Sequence, residues 1–168
     1  MLLPGDKAPD FTLKDVHNKD VSLSGLAGKR VLLSFHPLAW TPVCSAQMKA
    51  LEQYADILEK NNCVALGISV DPVPSKNAWA KSLGVSRTIL LSDFWPHGEV
   101  AKKYGIFRQG DGFSERANIL LDENRYIMHA SKYMISEVPV LAEFMGLLGT
   151  SAEEEMATHT IQDINPIG

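Results

Sequence analysis

The sequence predicts an α/β protein: a mixed central β-sheet flanked by helices, with a hairpin at its N-terminal end. Three observations carry that expectation. Two mostly apolar runs, Val31–Phe35 and Val64–Val70, have the character of strands covered on both faces. A stretch of helical periodicity follows each of them, so strands and helices alternate along the chain. Two pairs of alternating segments flank short polar stretches, and tight hairpins make their strands antiparallel.

The elements follow in order. Phe11–Leu13 and Val21–Leu23 flank His17-Asn18-Lys19-Asp20, which reads as the first hairpin. After the Val31–Phe35 strand, Met48, Leu51, Ala55 and Leu58 recur at helical spacing. One helix from Pro42 to about Lys60 is expected, ended by Asn61-Asn62. Val64–Val70 is the second buried strand. Ser75 can cap a helix through Leu83, with Gly84 just past its end. Ile89–Leu91 is a short strand, and Gly98–Tyr104 a short helix stopped by Gly105. Asn118–Leu121 and Tyr126–Ala130 flank Asp122-Glu123-Asn124-Arg125, a second hairpin. Ser136 can cap a last helix through Leu148, with Pro139 tolerated in its first turn.

The chain has 168 residues, and a domain takes roughly 100–200. One domain over residues 1–149 and a C-terminal tail over 150–168 are expected. The formal charge of −4 and the absence of a basic stripe argue against a nucleic-acid partner. The N-terminus lacks a basic start and a long apolar stretch, so no signal peptide is expected. No apolar run approaches the roughly 18 residues of a membrane span. A soluble, cytoplasmic protein is the expectation. Cys44 and Cys63 are the only cysteines, too few for a secreted disulfide scaffold. His17, His97, His129 and His159 lack ligand spacing, and no phosphate-binding glycine loop precedes a helix. No metal or organic cofactor is expected.

Chemistry concentrates in Pro37-Leu38-Ala39-Trp40-Thr41-Pro42-Val43-Cys44. Thr41 suits the N-cap of the following helix and Pro42 its first position. Cys44 then falls in the first turn, where unpartnered N–H groups and the dipole's positive end favour a thiolate. The other reading of a lone cysteine is a small buried hydrophobe.

Pro37-x-x-x-Thr41-x-x-Cys44 resembles the PxxxTxxC motif of the peroxiredoxins (the AhpC/TSA superfamily). Pro4-Gly5-Asp6-Lys7-Ala8-Pro9-Asp10-Phe11, Gly67-Ile68-Ser69-Val70-Asp71 and Arg116 agree in order, and the resemblance covers roughly Leu3 to Gly149. The stretches Pro37–Thr41 and Leu91–Gly98 are most similar to the one-cysteine AhpE-like branch. The resemblance implies a thioredoxin-like fold and a thiol peroxidase of the one-cysteine type, serving antioxidant defence. Cys44 would attack hydrogen peroxide or an organic hydroperoxide. The Thr41 hydroxyl would hydrogen-bond thiolate and peroxide, Arg116 would hold the thiolate and polarise the O–O bond, and Pro37 would shield the sulfur from water. An external thiol, or a thioredoxin- or glutaredoxin-like redoxin, would recycle the sulfenic acid. A homodimer built near Ala39-Trp40 and Phe94-Trp95-Pro96 is implied as well.

Two residues depart from the family pattern. Gln47 stands where a glutamate commonly orients the arginine, and an amide supplies no countercharge. His36 replaces a large aromatic, and either senses pH near the site or serves as a hydrogen-bonded structural residue. Lys49 occupies one branch's resolving-cysteine position, and Cys63, which opens an apolar run, reads as a buried strand residue. Two rival functions remain: a thiol–disulfide oxidoreductase, although Thr41 stands where a C-x-x-C pair would begin, and a non-enzymatic binding protein on the same scaffold.

Overall fold

The computed structural model describes residues 1–149; the expected tail from residue 150 lies outside the described residues. The main sheet contains β1 (Thr12–Asp15), β2 (Asp20–Ser22), β3 (Arg30–Phe35), β4 (Cys63–Ser69), β5 (Ile89–Ser92), β8 (Arg116–Leu121) and β9 (Ile127–Tyr133). Between β5 and β8, a separate two-stranded ribbon pairs β6 (Phe107–Arg108) with β7 (Phe113–Ser114). The helices are α1 (Pro42–Gln53), α2 (Ala55–Lys60), α3 (Val73–Leu83), α4 (Glu99–Lys103) and α5 (Ala142–Gly146). The sheet order is β2-β1-β5-β4-β3-β8-β9. Its centre, β5-β4-β3, is parallel, and every other pairing is antiparallel. This is the mixed sheet of a thioredoxin-like fold.

Side-chain alternation divides the core between the two faces of the sheet. Leu32, Ala65, Leu90 and Leu120 face α1, α2, α3 and α5, where they pack with Met48, Leu51, Ile57, Trp79 and Phe144. Leu33, Leu66, Leu91 and Ile119 face the other way, toward Phe11, Val100 and Tyr104. Gly67 lets α1 lie close on the sheet: a Cβ there would meet Met48 Sδ and Leu90 Cδ2, each at 2.6 Å. Since Met48 lies one turn beyond Cys44, that contact also fixes the height of Cys44 above the sheet.

Both hairpins turn by the same device. Asp15 Oδ1 accepts from the amides of His17 and Lys19, and Asp122 Oδ1 from those of Asn124 and Tyr126. The residue three after each aspartate, Asn18 or Arg125, takes a left-handed φ of 60° or 65°. The aspartate satisfies the amides that the left-handed step turns inward.

Four elements differ from expectation. The single helix over Pro42–Lys60 breaks at Tyr54, where φ is −90° and ψ 6°. On an unbroken helix Ile57 would lie about 120° away from Leu51; after the break both are buried. The helix after β4 begins at Val73 rather than after Ser75, with Pro72 at its N-cap and no side-chain cap. Ser75 instead accepts a hydrogen bond from Trp40 Nε1 at 2.9 Å. The strand expected from Asn118 begins two residues earlier, at Arg116, which pairs with Tyr133. The last helix, expected over Ser136–Leu148, covers only Ala142–Gly146. Residues 134–137 close a turn, and the Ile135 carbonyl accepts from a side chain of β8, so this segment's backbone is engaged elsewhere. Among the described residues, no helix is long and apolar enough to cross a membrane.

The β8–β9 turn gives a stability test. Asp122→Ala removes both backbone-satisfying hydrogen bonds and should cost about 1–2 kcal/mol in urea unfolding. A loss below the measurement error would show that the turn holds without them.

Candidate active site

The site grows from the C-terminal end of β3. His36 donates its amide to Ile68 O, continuing the β3–β4 ladder by one residue. The chain then leaves the sheet through residues 37–41. The Ala39 amide donates to Asp71 Oδ2 at 2.8 Å, and Trp40 turns with φ 68°. Thr41 is extended and occupies the expected N-cap position, with Pro42 first in the helix. Its hydroxyl does not cap α1: Thr41 Oγ1 donates to Leu38 O at 2.7 Å. Pro37 is buried at the start of the loop, and Cys44 lies in the first turn of α1 with its side chain 1% exposed.

Arg116 reaches Cys44 from β8. Its Nη1 donates to Cys44 Sγ at 3.3 Å and to Gln47 Oε1 at 2.7 Å. Its Nε and Nη2 both donate to Ile135 O, at 3.1 and 2.7 Å. Arg116 is 2% exposed, and among the described residues no carboxylate pairs with it. A buried cation surrounded by neutral acceptors is costly. The group beside it that can carry negative charge is the Cys44 sulfur.

Gln47 is held in turn. Its Nε2 donates to Ser34 Oγ at 2.8 Å and to Phe35 O at 3.2 Å, which fixes the amide so that Oε1 faces Arg116. Ser34 Oγ donates to Asn118 Oδ1 at 2.7 Å. Gln47 therefore orients the arginine as an amide can, and leaves the countercharge to the thiol.

Thus Cys44, Arg116 and Gln47 meet directly, Thr41 and Pro37 frame the loop, and Cys63 stands apart. Cys63 opens β4 opposite Arg30, whereas the loop to Cys44 leaves β3 beyond the Phe35–Ile68 pair. The seven residues of β4 span about 20 Å between those edges. Burial pushes the Cys63 thiol up to about 12.

For His36 the structural reading is favoured over the pH-sensing one. Burial, and the neighbouring Lys76 and Arg116 charges, push its imidazole well below the usual histidine range. Its ring packs at 5.3 Å from that of Trp79. The sequence reading overlooked three further polar residues. Asp71 anchors Ala39, Asp93 accepts from the amides of Val100 and Ala101, and Lys76 is wholly buried beside His36. A lysine on an unremarkable helix gives no sign of burial. Asp71 lay within a family-like stretch and could have been weighed as a loop anchor.

The chain is similar to known proteins in sequence and fold. Residues 4–130 match the AhpC/TSA family. Alkyl hydroperoxide reductase E of Mycobacterium tuberculosis is 40% identical over 139 residues, covering 82% of this chain and 90% of that protein. Peroxiredoxin-1 of Gallus gallus is 33% identical over 146 residues, covering 81% of this chain and 71% of that protein. The reduced 2-Cys peroxiredoxin of Plasmodium vivax superposes with a TM-score of 0.80 at 28% identity, covering 93% of this chain and 85% of that one. The chain belongs to the AhpC/TSA family and is a peroxiredoxin-type peroxidase that works through an active-site cysteine.

Proposed function

We propose that Cys44 is the peroxidatic residue of a one-cysteine, AhpE-like thiol peroxidase that reduces hydrogen peroxide and organic hydroperoxides. The observation that carries this reading is the 3.3 Å hydrogen bond from a buried, carboxylate-free Arg116 to Cys44 Sγ. The thiolate attacks one peroxide oxygen. The sulfur lone pair forms the S–O bond to that oxygen as the O–O bond breaks, and the O–O electron pair leaves on the departing oxygen, so that sulfur is oxidised by two electrons. The departing oxygen takes a proton and is released as water or alcohol, leaving Cys44 as the sulfenic acid. Arg116 supplies positive charge and donors where negative charge develops. With its own proton on Leu38 O, Thr41 Oγ1 keeps lone pairs to accept from the peroxide O–H. Pro37 keeps water from the sulfur.

Cys44→Ser should abolish peroxide consumption while the fold persists. Arg116→Ala should slow it roughly 10²–10³-fold and move thiol ionisation to higher pH. Full activity in Cys44→Ser would end the assignment. A parallel disulfide-reduction assay separates the other readings: an oxidoreductase would reduce disulfides instead, and a binding protein would do neither.

Recycling falls to an external thiol or redoxin. The incoming thiol displaces water from the sulfenic acid to form a mixed disulfide, and a second thiol releases Cys44. The placement and chemistry of Cys63 support this cycle. A disulfide needs Cα atoms within about 7 Å, and burial disfavours the Cys63 thiolate that would have to attack the oxidised sulfur. Both thiols are free, which suits a reducing, cytoplasmic setting. After one equivalent of peroxide, dimedone should label Cys44, and Cys63→Ser should keep full turnover with a small thiol. A Cys44–Cys63 disulfide whose loss abolishes turnover would refute the one-cysteine cycle.

A homodimer belongs to the same reading. Trp40, Phe94 and Trp95 are 55%, 48% and 80% exposed, and Phe94 and Trp95 edge a groove with Pro72, Val73 and Pro74. A second copy would cover them by an isologous contact. Light scattering should give a dimer at micromolar concentration, and Trp95→Asp should shift it toward monomer. A monomeric wild-type protein would exclude the dimer.

A further inference from the structure

Lys76 lies on α3 with its side chain in the core, 1% exposed. Its Nζ stands 2.8 Å from Leu91 O, 2.9 Å from Ser69 Oγ, 3.2 Å from Gly67 O and 3.5 Å from His36 Nε2. All four are acceptors. Ser69 gives its own hydroxyl proton to Asp71 Oδ2 at 2.6 Å. His36 Nδ1 lies 3.4 Å from Ser34 O, a carbonyl that can only accept, so the ring proton belongs on Nδ1 and Nε2 offers a lone pair. A neutral amine here would turn its own lone pair toward an acceptor, whereas an ammonium has three protons to give. The surroundings are therefore built for the cation.

A buried ammonium requires negative charge nearby. The groups able to carry negative charge that act on it are Asp71 after β4, Cys44 on α1 and Asp93 after β5. His36 and, beyond it, Arg116 complete the charged and titratable groups on that side. Asp71 and Asp93 are engaged with other donors: Asp71 with Ala39 and Ser69, Asp93 with Val100 and Ala101.

Two sets of contacts lead from Lys76 toward the thiol. In one, the His36 ring beside Lys76 meets the Ser34 carbonyl, and the Ser34 hydroxyl separately holds Gln47, which with Arg116 reaches Cys44 Sγ. The other passes through Ser69 and Asp71 to the Ala39 amide, in the loop that delivers Cys44 to its helix.

We propose that Lys76 is a positioning residue for peroxide reduction, a second buried cation that favours the ionised form of Cys44 through space and steadies the loop before it. The inference rests on Cys44 as the peroxidatic residue. Burial pushes the Lys76 ammonium down to about 7, against the pull of Asp71, Cys44 and Asp93. Its proton is therefore lost as pH rises through neutrality, and more easily once the sulfur no longer carries charge. Positive charge on Lys76 and negative charge on Cys44 then support one another.

Two measurements test the coupling. In wild-type protein carrying ¹³C-labelled lysine, the Lys76 Cε shift is followed against pH, before and after Cys44 is capped with iodoacetamide. The reduced protein should show a midpoint near 7, and capping should lower it by about one unit. Coincident curves would overturn the proposal. In Lys76→Met, the pH profile of Cys44 alkylation should move up by about one unit while the alkaline plateau keeps its rate. A lowered plateau with an unmoved profile would mark a merely structural lysine and would also overturn it. If Lys76→Met does not fold, the wild-type titration decides alone. Peroxide consumption by the wild-type protein is measured separately: its absence would sink the peroxidase reading and leave both titrations interpretable.

Discussion

A guanidinium buried without a carboxylate partner among the described residues organises this molecule. Arg116 needs acceptors for its donors, and the surrounding chain is arranged to provide them. The Ile135 carbonyl turns inward to take two of its hydrogen bonds, which holds residues 134–137 in a turn and delays α5 to Ala142. Gln47 offers one more oxygen, and Ser34 with the Phe35 carbonyl fixes that amide in place. Among the described residues, Cys44 is the neighbour that can answer the charge. The arginine thus couples β8, α1, β3 and the chain after β9 at one point, and directs its remaining electrostatic demand at one sulfur.

The hydrophobic architecture brings that point into being. Central strands whose neighbouring residues face opposite cores hold β3 rigid, and the glycine at position 67 lets α1 settle onto the sheet through Met48. Cys44 is one turn further toward the helix start. Its position therefore follows from a methionine–glycine contact as much as from the loop that precedes it.

Much of this was legible in the sequence. The buried strands, both hairpins and the Thr41-Pro42 helix start follow from local pattern, because apolar runs and turn residues act over a few positions. Cys44 was marked by its place in the first turn and by the motif around it. What escaped depends on partners distant in sequence. Nothing near Tyr54 signals a break, since no glycine or proline stands there, and the burial of Ile57 becomes evident only with the sheet in place. The shortened last helix reflects a demand made by Arg116, nineteen positions before Ile135. Lys76 resembles any surface lysine until β4, β5 and His36 surround it with acceptors. The hydroxyl of Thr41 was expected to face the sulfur, yet the nearby Leu38 carbonyl takes its proton.

The placement of Cys63 at the far edge of β4 bears on how this protein records oxidation. Where a chain must carry a second sulfur to the first, helices unwind and the redox state is written into shape, visible to a protease or to a partner that reads surfaces. Here the two sulfurs sit toward opposite ends of β4, so on the one-cysteine reading proposed above no bridge would have to close between them when Cys44 gains an oxygen. The memory of a peroxide encounter would then be a single buried atom, silent to anything that senses contour, and legible only to a reagent small or deft enough to reach the sulfur.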